Sequence, residues 1–172
     1  IRNFSLFFNP VSKPLAGGVT EMNVEFRAIM TLFPGDMVTV VLPAFTGPEA
    51  ATFNVTSTPA GIIQVGSWSN TSKRLAMNIT DKGPEGGDGL QALVDVMVLV
   101  PSSAGISLPA AGLALNQPDL TIATNAAAGP VEPTPIAASP AIFPEGQFWS
   151  MGVEYDSSAV LCSNTFGGLV PP

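Results

Sequence analysis

The chain has 172 residues, enough for one domain that buries roughly two thirds of the surface its unfolded form exposes. It is 46% hydrophobic and only 11% charged, far below the ~25% usual in soluble domains, so solubility must come from Ser, Thr, Asn, backbone groups or attached glycan. A net charge of −7 argues against a nucleic-acid partner, because nothing here neutralises a run of phosphates. The chain holds 17 glycines and 17 prolines, but its aliphatic content is too high for a disordered protein.

In chain order, Asn3–Phe8 reads as a first strand. In Met22–Met30 the residues Met22, Val24, Phe26, Ala28 and Met30 alternate with Asn23, Glu25, Arg27 and Ile29, the period-two pattern of a strand with one buried face. Phe33-Pro34-Gly35-Asp36 is a turn, and 37–43 follows as a strand, so the two make a hairpin or an arch. Further strands are expected at 51–55, 61–68, 74–80, 90–100 and 120–124, with another at 148–155. Short strands separated by turn signals predict an all-β fold, an immunoglobulin-like antiparallel β-sandwich.

Residues 126–146 differ in kind. Pro130, Pro133, Pro135, Pro140 and Pro144 exclude a central strand and favour extended, polyproline-like backbone. The expected organisation is a sandwich over 1–125, a Pro-rich strap over 126–146 and a terminal strand extension over 147–172. The extension weakly matches the start of the chain: Ser150, Met151 and Val153 stand where Ser5, Leu6 and Phe8 do.

Much chemistry is missing. There is no histidine, which removes Ser-His-Asp and Cys-His catalysis. One cysteine, Cys162, allows neither an internal disulfide nor a thiolate zinc site. No Walker loop or dinucleotide fingerprint is present. Asp81, Glu85 and Asp88 cluster in one loop, where a solvated hairpin loop is the first reading and weak calcium binding through oxygen ligands the second. The expectation is a protein that is not an enzyme and carries no cofactor. The uncharged run Val96–Pro118 is broken by Pro101 and Pro109 and is no membrane span. The chain begins at Ile1, as a protein with a cleaved signal or a fragment would.

Asn-x-Ser/Thr occurs at Asn3, Asn54, Asn70 and Asn78, with no Pro after any of the four. Nine Asn in such a chain would give about one or two by chance. Strand parity puts Asn3, Asn54 and Asn78 on polar faces and Asn70 in a turn, so N-linked glycans are expected on an extracellular or cell-surface protein. Lys73 and Arg74 beside them read as solvated. Trp68 and Trp149 read as core or interface residues, with sugar stacking the alternative.

From Phe4 to about Phe143 the order of "FSLFFNP", "LFPGDMVTVVLPAFTG", "GSWSNTSKRLAMNIT", "VPSSAGISLPAAGLALNQPDLTIAT" and "GPVEPTPIAASPAIF" resembles β-sandwich modules repeated in large secreted surface proteins of algae and other aquatic microbial eukaryotes. It is similar also to subunits of glycan-coated extracellular filaments from freshwater. The resemblance implies a structural role, no catalytic residue, and residues 147–172 as the opening of a following unit.

The reading is therefore a structural subunit that assembles with copies of itself, head to tail, by strand donation. The candidate donated residues are Phe4, Leu6, Phe7 and Phe8 at one end and Phe148, Trp149, Met151, Val153 and Tyr155 at the other. Phe7 makes the first strand apolar on both faces, unusual for a water-exposed edge. The alternative is a carbohydrate-binding or adhesive module.

Overall fold

The computed structural model describes residues 2–9, 15–49, 51–80 and 89–144. Ten strands run through them: β1 Arg2–Asn9, β2 Glu21–Arg27, β3 Met37–Val41, β4 Ala51–Asn54, β5 Thr56–Thr58, β6 Ile63–Ser69, β7 Arg74–Ile79, β8 Asp95–Val100, β9 Thr121–Thr124 and β10 Val131–Pro135. A single 3-10 turn, Ser102–Ala104, is the only helical element among the described residues.

The strands form two antiparallel sheets, one of four in the order β1-β2-β8-β5 and one of six in the order β10-β9-β3-β7-β6-β4. The first, second, fourth and fifth strands of an immunoglobulin constant domain share one sheet, and the third, sixth and seventh the other. Here β1, β2, β5 and β8 take the first set of places and β3, β9 and β10 the second, while β7, β6 and β4 extend the second sheet beyond β3. The expected immunoglobulin-like sandwich is the fold.

Alternation produces the core. In β2 the residues Met22, Val24 and Phe26 are buried, in β7 Leu75, Met77 and Ile79, and in β1 Phe4, Leu6 and Phe8. The inner faces meet around Trp68, Phe8, Phe26 and Phe45, with the rings of Phe8 and Phe45 6.1 Å apart. Burying an aliphatic or aromatic side chain contributes about 1.5–3 kcal/mol, so three such residues per strand hold each strand to the body.

β2 and β3 belong to different sheets. Residues 28–36 are thus an arch over one end of the sandwich. The Asp36 side chain pins it, accepting from the N–H groups of Phe33 at 2.8 Å and Ala127 at 2.9 Å. β8 starts five residues later than its apolar run. Gly89 and Leu93 have φ of +81° and +67°, which breaks the extended chain, and Leu90 instead exchanges backbone hydrogen bonds with Leu32 of the arch.

The strap packs into the same body. β10 is the edge strand beside β9, a place where Pro133 and Pro135 leave no central ladder bond unmade. Ile136, Ser139 and Ile142 are buried. Ala137 and Ala138 then run parallel to β1, the Leu6 N–H donating to Ala138 O at 2.9 Å and the Ala137 N–H to Phe4 O at 3.1 Å. The strap thereby covers the outer edge of β1. The opposite side of the sandwich is closed by the short strands β4 and β5, joined through Val55.

Candidate glycan-bearing face and assembly surfaces

Asn54 ends β4 and Asn78 lies in β7, both exposed. Asn54 pairs with Val65 of β6. A register shift between Ile63 and Gly66 sets Gln64 and Val65 opposite Asn78. The two asparagines therefore flank β6 on the outer face of the six-stranded sheet, two strand spacings or about 10 Å apart. A shallow depression of about 400 Å³ on that face is lined by hydroxylated residues, among them Thr39, Thr52, Ser67 and Ser72, together with Met37, Trp68, Arg74 and Ala76. Thr80, third residue of the Asn78 sequon, donates its hydroxyl to Gly61 O and Ile62 O.

Asn70 is different. It opens the β6–β7 turn, and Lys73 closes it at φ +55°. β7 begins only at Arg74, so Asn70 and Asn78 do not share one continuous strand. The Asn70 Oδ1 accepts from the Gly47 N–H at 3.2 Å and from Lys73 Nζ at 2.9 Å. Glu49 clamps the same turn, accepting from the Thr71 N–H at 2.8 Å and the Ser69 hydroxyl at 3.0 Å. Burial pushes the Glu49 carboxyl up, but these donors outweigh it and hold it below the usual carboxylate range. Lys73 is thus a turn residue and Arg74 is exposed. Asn3 lies on β1, and its side chain is outside the described residues.

Trp68 points inward and is 1% exposed, its Nε1 without a partner among the described residues. A Cβ at Gly47 would lie 2.8 Å from that nitrogen, so glycine there lets the indole seat. The ring is core and has no face to offer a sugar. Trp149, Cys162 and the carboxylates Asp81, Glu85 and Asp88 lie outside the described residues.

Of the residues proposed for strand donation, Phe4, Leu6 and Phe8 sit in the chain's own core, in register with β2. Phe7 faces out, 38% exposed, on the four-stranded sheet, where cross-strand pairing puts it and Leu99 on either side of Asn23. Met97, also exposed, lies two residues along from Leu99. Arg27 and Asp95 are ion-paired on the same face, which holds the Asp95 carboxyl below its ordinary value. Phe148, Trp149, Met151, Val153 and Tyr155 lie outside the described residues.

The residues that sequence reasoning passed over are apolar ones at the two ends of the sandwich. At the arch end, Ile29, Phe33 and Leu93 are exposed. At the opposite end, Leu15, Val19 and Leu115 are exposed. There Leu15 pairs with Phe143, Leu113 with Ile142 and Val19 with Ser107. One signal was available: Ile29 breaks the polar parity of Asn23, Glu25 and Arg27. β1 starts at the arch end, Arg2 opposite Arg27. The last described residues, Phe143 and Pro144, lie at the other end beside Leu15 and Gly112, called the exit end below.

No protein-family model matches the chain, and no curated protein matches it. A solved structure of an uncharacterized protein from Nocardia farcinica, described as having an immunoglobulin-like fold, is similar over 75% of this chain and 82% of that one, at 16% identity and a TM-score of 0.37. No described helix is long and apolar enough to cross a membrane.

Proposed function

We propose that this protein is a structural subunit of an extracellular, glycosylated filament, joined head to tail by passing a terminal strand from one β-sandwich to the next. The observation that supports the reading is the placement of the two ends of the described body: β1 starts at the arch end, and the last described residues, Phe143 and Pro144, lie at the exit end. Exposed apolar side chains gather at both ends. Such a contact joins unlike surfaces and extends without closing when its rotation does not complete a ring. Glycans at Asn54 and Asn78 would stand off one sheet face, leaving the ends clear. They would also blunt the β4 edge against unwanted strand pairing.

The test has two arms. Intact mass before and after enzymatic removal of N-glycans should fall by at least two glycans in protein from a glycosylating host. Electron microscopy of the same protein should show filaments, and deletion of the passed segment, residues 1–9 or residues 147–172, should abolish them; since residues 1–9 also supply core side chains, that arm counts only where circular dichroism shows the shortened chain still folded. Filaments that survive both deletions would refute strand passing by the termini.

A further inference from the structure

The two segments available for strand passing are not equivalent. β1 runs from the arch end to the exit end, with Asn9 opposite Glu21, and Leu15 is held beside Phe143. Six residue steps separate Asn9 from Leu15, at most about 22 Å. A β1 placed in a second copy's sheet therefore keeps the two exit ends within that reach of each other. Two copies facing exit end to exit end exchange β1 reciprocally and close as a two-fold pair, so β1 exchange by itself recruits no third copy.

The chain beyond Pro144 has the opposite geometry. It leaves the exit end, and 28 residues follow it. Trp149 is five steps on, at most about 18 Å. Its own arch end lies beyond the reach of Trp149, the segment's first large anchor, because β2 alone spans about 20 Å between Glu21 and Arg27; residues from Met151 on could reach it, and an intact protein that docks this way would stay monomeric. The arch end of a second copy stacked in the same orientation lies next to the exit end, and that arrangement repeats indefinitely.

The arch end offers a surface of matching chemistry. Residues 28–33 and 89–93 run side by side there, tied by the Leu93 N–H to Ala28 O at 2.7 Å and by the Leu32–Leu90 pair. Ile29, Phe33 and Leu93 project from them, 49%, 45% and 62% exposed. Leu93 is the telling residue. At φ +67° the backbone favours Gly, Asn or Asp, and at that exposure the core makes no demand for leucine. Neither local geometry nor the fold accounts for an apolar side chain there, whereas a contact does. In the terminal segment, Trp149, Met151, Val153 and Tyr155 recur at every second residue, the spacing that puts them all on one side of an extended chain.

Resting on the head-to-tail reading, we propose that residues 148–155 of one copy, and not β1, cross to a second copy and dock on Ile29, Phe33 and Leu93 at its arch end. Two full-length variants test this. Ile29→Asp/Leu93→Asp removes the landing surface and keeps the segment. Aspartate suits the backbone at 93, and both positions are exposed, so an unchanged circular dichroism spectrum and melting midpoint are expected. Trp149→Asp/Met151→Asp removes the segment's anchors and keeps the surface. By native mass spectrometry each variant alone should have the mass of one chain. An equimolar mixture should give dimers containing one of each, and nothing larger. The inference is overturned if either variant alone assembles as the intact protein does, or if the mixture stays monomeric while the intact protein assembles. An intact protein that stays monomeric throughout overturns the head-to-tail reading itself.

Discussion

At the scale of single residues, the sequons separate into two kinds. The side chains of Asn54 and Asn78 stand in solvent, while the Asn70 Oδ1 bridges Gly47 and Lys73. In sugar-free protein, Asn54→Gln and Asn78→Gln should each change stability by no more than about 0.5 kcal/mol. Asn70→Gln should cost about 1 kcal/mol, the ordinary worth of a lost hydrogen bond. Urea titration of the three variants checks the order. Substituting Thr80 is a poor way to remove the Asn78 sugar, since its hydroxyl also ties β7 to the 61–62 turn. Glu49 gives a pH-dependent counterpart. Its carboxyl is held low in the folded protein, so its contribution is full above the ordinary carboxylate range and is lost as pH falls through the lowered value. The protection factor of the Thr71 amide, followed by NMR, should fall over that acidic window. Glu49→Gln should leave Thr71 less protected at neutral pH and remove the acid dependence. Only part of this local picture was legible in the sequence. Parity exposes Asn54 and Asn78 from the letters alone, but Glu49 and Gly47 reach Asn70 from more than twenty residues away, and no local pattern encodes that.

At the scale of elements, β1 shows how one strand serves two faces. Leu6 is fully buried against Val24, and the neighbouring Phe7 faces outward. Leu6→Ala should destabilise the fold by about 2–5 kcal/mol through lost burial and a cavity. Phe7→Ser should stay within about 0.5 kcal/mol. Thermal melts distinguish them. The alternation that separates these two residues is also what made the strands legible. β2, β3, β7 and β9 lie where period two puts them, because each buries one face. β5 escaped because Thr56-Ser57-Thr58 is three polar residues long, and its one inward side chain, Ser57, is buried through hydrogen bonds to Pro59 O and the Ile63 N–H. β10 escaped because prolines read as the end of a sheet. Here they mark its edge. The choice between hairpin and arch after Arg27 was invisible locally, since it depends on which sheet has room for β3.

At the scale of the molecule, the sandwich has dissimilar surfaces. The six-stranded face carries Asn54 and Asn78 and, along the same strands, a depression with hydroxylated residues in its lining, the four-stranded face carries Phe7, Leu99 and Met97, and the two ends carry separate apolar groups. The immunoglobulin-like arrangement was readable from strand number and spacing, whereas this segregation needed three dimensions, since Ile29 and Leu93 share one end only because the arch runs beside the 89–93 segment. The strap has a further consequence. Its Ala137–Ala138 stretch lies parallel to β1. Opposed pulling on the described body at Arg2 and at Pro144 would draw β1 from its arch-end start and the strap from its exit-end finish, in opposite directions along the strands. The backbone hydrogen bonds joining strap to β1 and β1 to β2 are then loaded in shear, all together, instead of being peeled one by one. Under such pulling the sandwich would act as a mechanical clamp, and its lifetime under force would be set by how fast that clamp ruptures.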